Sequence, residues 1–142
     1  MTKAFDLSRF AEAHRSTYPT ALAEIRRGRK ESHWMWYIFP QIRGLGRSST
    51  ARYYAIQSLD EARAFLDDPY LGGHLTEISE ELLSLKTDDP SDVFEWPDDM
   101  KLRSCMTLFS LVSEEGSVFH RVLDKFFGGK PDRETLRILG MP

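Results

Sequence analysis

Apolar residues recur along this chain at spacings of three and four, and strand-type alternation is nearly absent. That is the signature of amphipathic helices. The clearest run is Leu71, Leu75, Ile78, Leu82 and Leu85, with Glu77, Glu80 and Glu81 on the opposite side, and it predicts a long helix with one stripe facing a core. Glycine is costly inside a helix, so Gly72-Gly73 sets the expected start of its regular part at His74. Upstream, Ser58-Leu59-Asp60-Glu61 reads as a capping box before a helix through Ala62, Phe65 and Leu66, ended by Asp68-Pro69. Asp6 is expected to cap a first short helix carrying Leu7, Phe10, Ala11 and His14. Tyr18-Pro19 should interrupt it, and a second helix should open at Pro19, bury Leu22 and Ile25, and stop at Gly28.

Downstream, an acidic turn from Thr87 to Ser91 leads into a short apolar bridge of Val93, Phe94 and Trp96. The next helix is predicted from Pro97 to Val112, with Asp98 and Asp99 in its first turn and Met100, Cys105, Leu108, Phe109 and Val112 facing inward. Another follows Gly116-Ser117 through Phe119, Val122, Leu123, Phe126 and Phe127, and Gly128-Gly129 stops it. A closing helix capped at Asp132 turns Leu136 and Leu139 inward. Helices joined by connections of a few residues predict an all-α fold, a single compact multihelical domain over residues 1–142.

The stretch from Ser32 to Ile56 breaks this regularity. It joins an aromatic block, Trp34, Trp36, Tyr37 and Phe39, to a loop with Arg43, Gly44, Gly46, Arg47, Ser48 and Ser49. The block is expected to be a buried helix or strand, with either Trp34 or Trp36 free to form a cleft wall, since an indole offers a flat face and an N–H. Gly44 and Gly46 permit a turn whose N–H groups converge on an anion. Ser48 or Ser49 is placed to cap a helix beginning near Thr50, and Arg43 and Arg47 flank the turn with forks suited to phosphate or carboxylate. The loop matches neither a P-loop nor a dinucleotide fingerprint. At the polar edge stands His33, and an imidazole as a class changes charge near neutral pH, which suits proton transfer.

Composition narrows the classes. With 142 residues, 41% hydrophobic and 29% charged, the chain is long enough to bury roughly two-thirds of its surface without disulfides. The single cysteine, Cys105, excludes an internal disulfide framework and a Cys-rich zinc site, and fits a reducing cytosol. No metal cluster or cofactor fingerprint is discernible, so no cofactor is expected. No signal-peptide pattern follows Met1-Thr2-Lys3, and no apolar run approaches the roughly 18 residues that span a bilayer. The expectation is a cytoplasmic protein with no membrane partner. A formal net charge of −3 argues against broad binding to nucleic acid. It leaves room for a local basic surface of Arg26, Arg27, Arg29, Lys30, Arg43, Arg47 and Arg52. Oligomeric state leaves no mark in the pattern.

Several blocks together carry a resemblance: His33-Trp-Met-Trp-Tyr-Ile-Phe-Pro-Gln41, Arg43-Gly-Leu-Gly-Arg-Ser48, Tyr54-Ala-Ile56, Ser58-Leu-Asp-Glu-Ala-Arg-Ala64, Pro97-Asp-Asp-Met-Lys-Leu-Arg-Ser-Cys-Met-Thr-Leu-Phe109, and Asp132 with Thr135-Leu136. The chain resembles, over nearly its whole length, a family of uncharacterised, mainly bacterial proteins of unknown function, often labelled calpastatin. The resemblance implies a compact helical fold and no particular reaction. The label itself conflicts with the physics, because the calpain inhibitor of that name is a long disordered chain and this one has the periodicity of a packed domain. The family's polar blocks fall here on His33, Trp34, Arg43, Gly46, Arg47 and Ser48, and on Lys101, Arg103 and Ser104, which are expected to meet in space.

Two functions follow as expectations. In the first, a small phosphate-bearing molecule, nucleotide-derived or similar to ADP-ribose, is bound or hydrolysed. Arg43, Arg47, Ser48, Ser49 and the Gly44 and Gly46 backbone would hold the anion, with Lys101, Arg103 and Ser104 adding charge and polarity. Trp34 or Trp36 would stack on a ring, and His33 or Asp98 would move a proton. In the second, the basic surface from Arg26 to Arg52 binds a protein or an acidic polymer without catalysis.

Overall fold

Helix α1 (Ser8–Arg26) runs on through Pro19 as one nineteen-residue element; the expected interruption does not occur. A proline there has no N–H to donate to the carbonyl of Arg15. The loss is tolerated because Phe10, His14, Tyr18, Ala21 and Ile25, spaced four, four, three and four, form one continuous buried stripe. That stripe packs chiefly on the helix Pro69–Leu83. Asp6 is not the cap: its carboxylate accepts from the N–H and hydroxyl of Ser8, while Leu7 occupies the cap position. Gly28 ends this region with φ +83°.

The computed structural model describes residues 5–141. Among them α1 is followed by α2 (Met35–Ile38), α3 (Ser49–Tyr54), α4 (Leu59–Asp67), α5 (Pro69–Leu83), a 3₁₀ turn (Pro90–Asp92), α6 (Asp98–Ser110), α7 (Val118–Phe127) and α8 (Arg133–Ile138). The fold is all-α; the described residues contain no strand, only an isolated parallel bridge between Ile42 and Ile56. One contiguous core gathers Phe10, Trp34, Phe39, Phe65, Phe94, Phe109 and Phe119. No described helix is long and apolar enough to cross a membrane.

Glu24, buried near the end of α1, organises the route into the aromatic block. Its Oε1 accepts from the N–H groups of Glu31 (2.7 Å) and Ser32 (2.9 Å) and from the Trp34 indole (2.9 Å), and its Oε2 from the Ser32 hydroxyl (2.5 Å). Burial pushes its carboxyl up, but the bonds from Ser32, Glu31 and Trp34 outweigh that and hold it at about 2. The chain beyond is pinned by the bridge: the Arg43 N–H donates to the Ile56 carbonyl and the Ile56 N–H to the Gln41 carbonyl, both at 2.8 Å. Ser48 caps α3 by accepting from the Ala51 N–H at 3.1 Å.

The capping box before α4 forms with one change. Ser58 accepts from the Glu61 N–H (3.1 Å), but the Glu61 carboxylate reaches the N–H of Gln57 (3.1 Å) and Arg9 (3.0 Å) instead of Ser58. Helix α5 opens at Pro69, five residues before the expected His74, with Asp68 as its cap. Gly72 is there for contact: a Cβ on it would lie 1.9 Å from the Leu66 carbonyl oxygen. In α6, Leu102 and Met106 are buried where Met100 had been expected, and Met100 is exposed. Trp96, assigned to an apolar bridge, is 79% exposed. Leu136 and Leu139 are half-buried, and Thr135 is the fully buried member of α8.

Beneath α1 and α5 lies a polar aromatic cluster. His14 Nε2 is 2.7 Å from the Tyr37 carbonyl, and its Nδ1 is 3.0 Å from His74 Nδ1. A carbonyl only accepts, so the Nε2 carries the proton and the Nδ1 accepts from His74. The Tyr18 ring stacks on His74 at 3.6 Å, and its hydroxyl donates to Glu77. Burial pushes His14 down to about 4, opposed by the Tyr37 carbonyl and reinforced by His74. His74 is itself lowered by burial, against the pull of Glu77.

The unfolded chain therefore binds protons at these imidazoles that the folded chain refuses. Stability falls as pH drops from the ordinary 6.5 toward about 4, by at most about 3 kcal/mol from His14. Thermal melts from pH 7 to 4.5 are expected to show that decline in the wild type and a flatter curve in His14→Gln. Parallel curves would contradict the buried neutral imidazole.

Candidate functional site

Helix α6 sorts the second polar block by direction. Successive helical positions are turned by about 100°, so Arg103, two positions on, faces away from Lys101, whereas Ser104, three on, lies on the same side but is taken up by another partner. Lys101 lies over the Trp36 ring at 5.8 Å and 3.6 Å from Asp98. Ser104 points inward, 2.9 Å from the carboxylate of Asp132. Asp132 also accepts from the N–H and hydroxyl of Thr135, and its own N–H donates to Thr107. Ser104 thus fastens α8 to α6 and presents no free hydroxyl to a ligand. Arg103 turns to the C-terminal side, where its Nε donates to the Lys130 carbonyl at 2.9 Å.

The glycine loop is tighter than its composition predicts. Gly44 takes φ +98°, as expected of a turn glycine, but Gly46 does not have positive φ. Gly46 is required because a Cβ would fall 2.4 Å from that of Ala51. The recess beside it, lined by Trp36, Gln41, Ile42, Gly46, Ala51, Tyr54 and Ala55, has a volume of about 10 Å³, room for one water at most. Arg43 is engaged through its Nε with the Gln57 carbonyl, and Arg47, Ser48 and Ser49 are exposed. Six-residue α3 offers little dipole. The recess beside these groups is too small for a phosphate.

Of the two tryptophans, Trp34 is buried with its indole on Glu24 and lies at no cleft. Trp36 is half-buried and joins the two blocks, with the Gly46 recess on one side and Lys101 on the other. His33 and Asp98 share a second recess of about 130 Å³, lined also by Lys30, Glu31, Glu95 and Trp96. Asp98 there bridges Lys30 (3.0 Å) and Lys101 (3.6 Å).

A wide cleft lies where α8 meets α6. It has a volume of about 610 Å³ and is lined by Arg103, Lys130, Pro131, Arg133, Leu136, Arg137 and Met141. Arg137 is paired with Glu134 at 2.8 Å. Among the described residues no oxygen accepts from the Arg103 Nη atoms, and neither Lys130 nor Arg133 has an ion-pair partner. Arg103 is also held against the Phe127 ring, 5.7 Å from its centroid. Its terminal fork is thus fixed in position and has no partner among the described residues. Of the expected site residues only Arg103 reaches this cleft. Sequence reading missed the partners Lys130, Arg133 and Arg137; the only signal is a lysine just before α8 and two arginines four apart within it, and their neighbourhood with Arg103 depends on tertiary packing.

The basic run from Arg26 to Arg52 is partly neutralised. Arg26 pairs with Glu81, Arg29 with Glu95 and Lys30 with Asp98, three of its seven cations, while Arg27, Arg43, Arg47 and Arg52 have no ion-pair partner among the described residues. Among the described residues no group of three or more His, Cys, Asp or Glu side chains is placed to hold a metal ion.

The chain is similar to a solved structure, that of the conserved hypothetical protein Rv1873 from Mycobacterium tuberculosis. The two are 41% identical, the match covers 97% of this chain and 99% of that one, and the TM-score is 0.93. No curated protein matches. The family model described as a protein of unknown function, DUF1810, matches residues 4–139. With its all-α fold and nearly full-length match, the chain belongs to the DUF1810 family of proteins of unknown function.

Proposed function

We propose that the protein binds a small phosphate-bearing metabolite in the cleft between α6 and α8, and that its role is recognition rather than hydrolysis. The observation that carries this reading is the Arg103 guanidinium, held by Lys130 and Phe127 with its fork free inside a 610 Å³ hollow. That volume falls within the roughly 300–1,000 Å³ of small-molecule sites. Lys130 and Arg133 add unpaired positive charge to a chain of net charge −3, so the attraction is local. Pro131, Leu136 and Met141 supply apolar wall, which suits a ligand with a ring or an aliphatic body beside its phosphate, such as a nucleotide or ADP-ribose. A planar fork pre-set for two parallel bonds favours phosphate or carboxylate over a simple halide. His33 and Asp98 line the other recess, so no proton-transfer group is assigned to this cleft.

Thermal shift with pyrophosphate, nucleotides and ADP-ribose tests the reading. A true ligand at about 100 times its Kd adds about 2.7 kcal/mol, or roughly 5–10 °C for a chain of this size. Arg103→Ala and Arg133→Ala are expected to remove most of that shift, and Arg47→Ala to leave it. Arg133 is exposed and has no ion-pair partner among the described residues, so its removal should not disturb the fold. A shift abolished by Arg47→Ala but kept in both cleft variants would overturn the assignment.

A further inference from the structure

We infer that the recess formed by His33, Glu31 and Trp96 is a separate binding site for a neutral, hydroxyl-rich ring, the chemistry of a sugar. It shares no lining residue with the basic cleft. Its dominant surface is the indole of Trp96, 79% exposed and the most open of the large apolar side chains. An indole face left in water is a platform for the C–H face of a ring.

The polar groups around it select among ligands. Lys30 is committed to Asp98 and the Ser32 carbonyl, and Glu95 to Arg29. Asp98 holds Lys101 as well. Each acid except Glu31 is therefore matched by a cation, so the recess has no surplus positive charge for an anion. An ammonium ligand would meet Lys30 at close quarters. The groups left without a protein partner among the described residues are the Glu31 carboxylate, the His33 ring and the Trp96 N–H. They comprise an acceptor, a group that either donates or accepts, and a donor, which is the complement of a set of hydroxyls. At about 130 Å³ the recess is far below the roughly 300–1,000 Å³ of drug-sized sites and admits one ring.

The test is a titration of the full chain with ribose, glucose, galactose and N-acetylglucosamine, following the Trp96 indole N–H resonance by NMR. Tetramethylammonium and inorganic phosphate serve as the competing probes. At least one sugar is expected to move that resonance saturably. Trp96→Ala, followed by the backbone amide resonances of Glu31 and His33 in place of the indole, should weaken binding of that sugar at least tenfold and Glu31→Gln severalfold, while Arg103→Ala leaves it unchanged. Both recess positions are exposed, so the variants should fold, which the rest of the spectrum reports directly. If tetramethylammonium or phosphate moves the resonance and no sugar does, or if no probe moves it, the inference is overturned. If Arg103→Ala abolishes sugar binding, the site is not separate and the inference also falls.

Discussion

Glu24→Ala is expected to lower stability by about 4 kcal/mol, a large share of the roughly 5–15 kcal/mol that holds a domain together. Four donors converge on that carboxylate, two of them backbone N–H groups and one the indole of fully buried Trp34. Removing the acceptor strands buried donors, which costs more than the bonds themselves contributed. Glu24→Gln keeps the shape and one oxygen, so its cost should be smaller, about 1–2 kcal/mol. The two differ from the wild type in acid as well. The carboxyl sits at about 2 in the folded chain against an ordinary 4.5, so its contribution is complete above pH 4.5 and is lost as pH falls toward 2, up to about 3 kcal/mol. Urea unfolding should give a lower midpoint with an unchanged slope for both variants, and Glu24→Gln should lose the decline below pH 4.5. An unchanged midpoint in Glu24→Ala would mean the four donors find water instead.

Two neighbouring glycines should respond in opposite directions. At Gly72 a methyl group would sit 1.9 Å from the carbonyl oxygen of Leu66 and 2.7 Å from its carbon. These are backbone atoms of α4 that no rotamer change can move. Gly72→Ala must therefore push α5 away from α4, at about 3 kcal/mol or more. Gly73 has nothing within 4 Å of its would-be Cβ and lies exposed in the same helix. Gly73→Ala should stabilise by about 0.5–1 kcal/mol through the unfolded chain and helix propensity. Thermal melts of the two proteins should bracket the wild type. If both alanines are tolerated alike, the α4–α5 approach is looser than described.

These sites show where pattern alone sufficed and where it did not. The all-α fold was legible because periodicity survives in sequence: the Leu71–Leu82 stripe and the Gly128 stop appear as read, and Ser58 caps α4 although only half of its box forms. Pro19 and Gly72 misled for one reason. Each carries an unfavourable local propensity, and each is overridden by a tertiary contact, the stripe on α5 in one case and the backbone of α4 in the other. The candidate site was legible in residue type more than in place. His33 and Asp98 do share a recess, and Lys101 does reach Trp36. Arg103, two residues along, was grouped with Lys101 although helical geometry turns it away, and Ser104, three along and on the same side, is taken up by Asp132, which the local pattern does not show. Gly46 was read as a turn glycine, and no sequence pattern distinguishes that use from the packing against Ala51 that it serves. Trp96 carried no signal of exposure, because a tryptophan beside Val93 and Phe94 reads as core.

The most direct measurement is an NMR titration of the arginine side chains with ADP-ribose, and with pyrophosphate in parallel, at low ionic strength. Binding in the α6–α8 cleft predicts that the Nε–H resonances of Arg103 and Arg133 move together and saturably, weaken with added salt, and leave those of Arg43 and Arg47 in place. Movement confined to Arg43 and Arg47, or no saturable movement at any arginine with either anion, would contradict it.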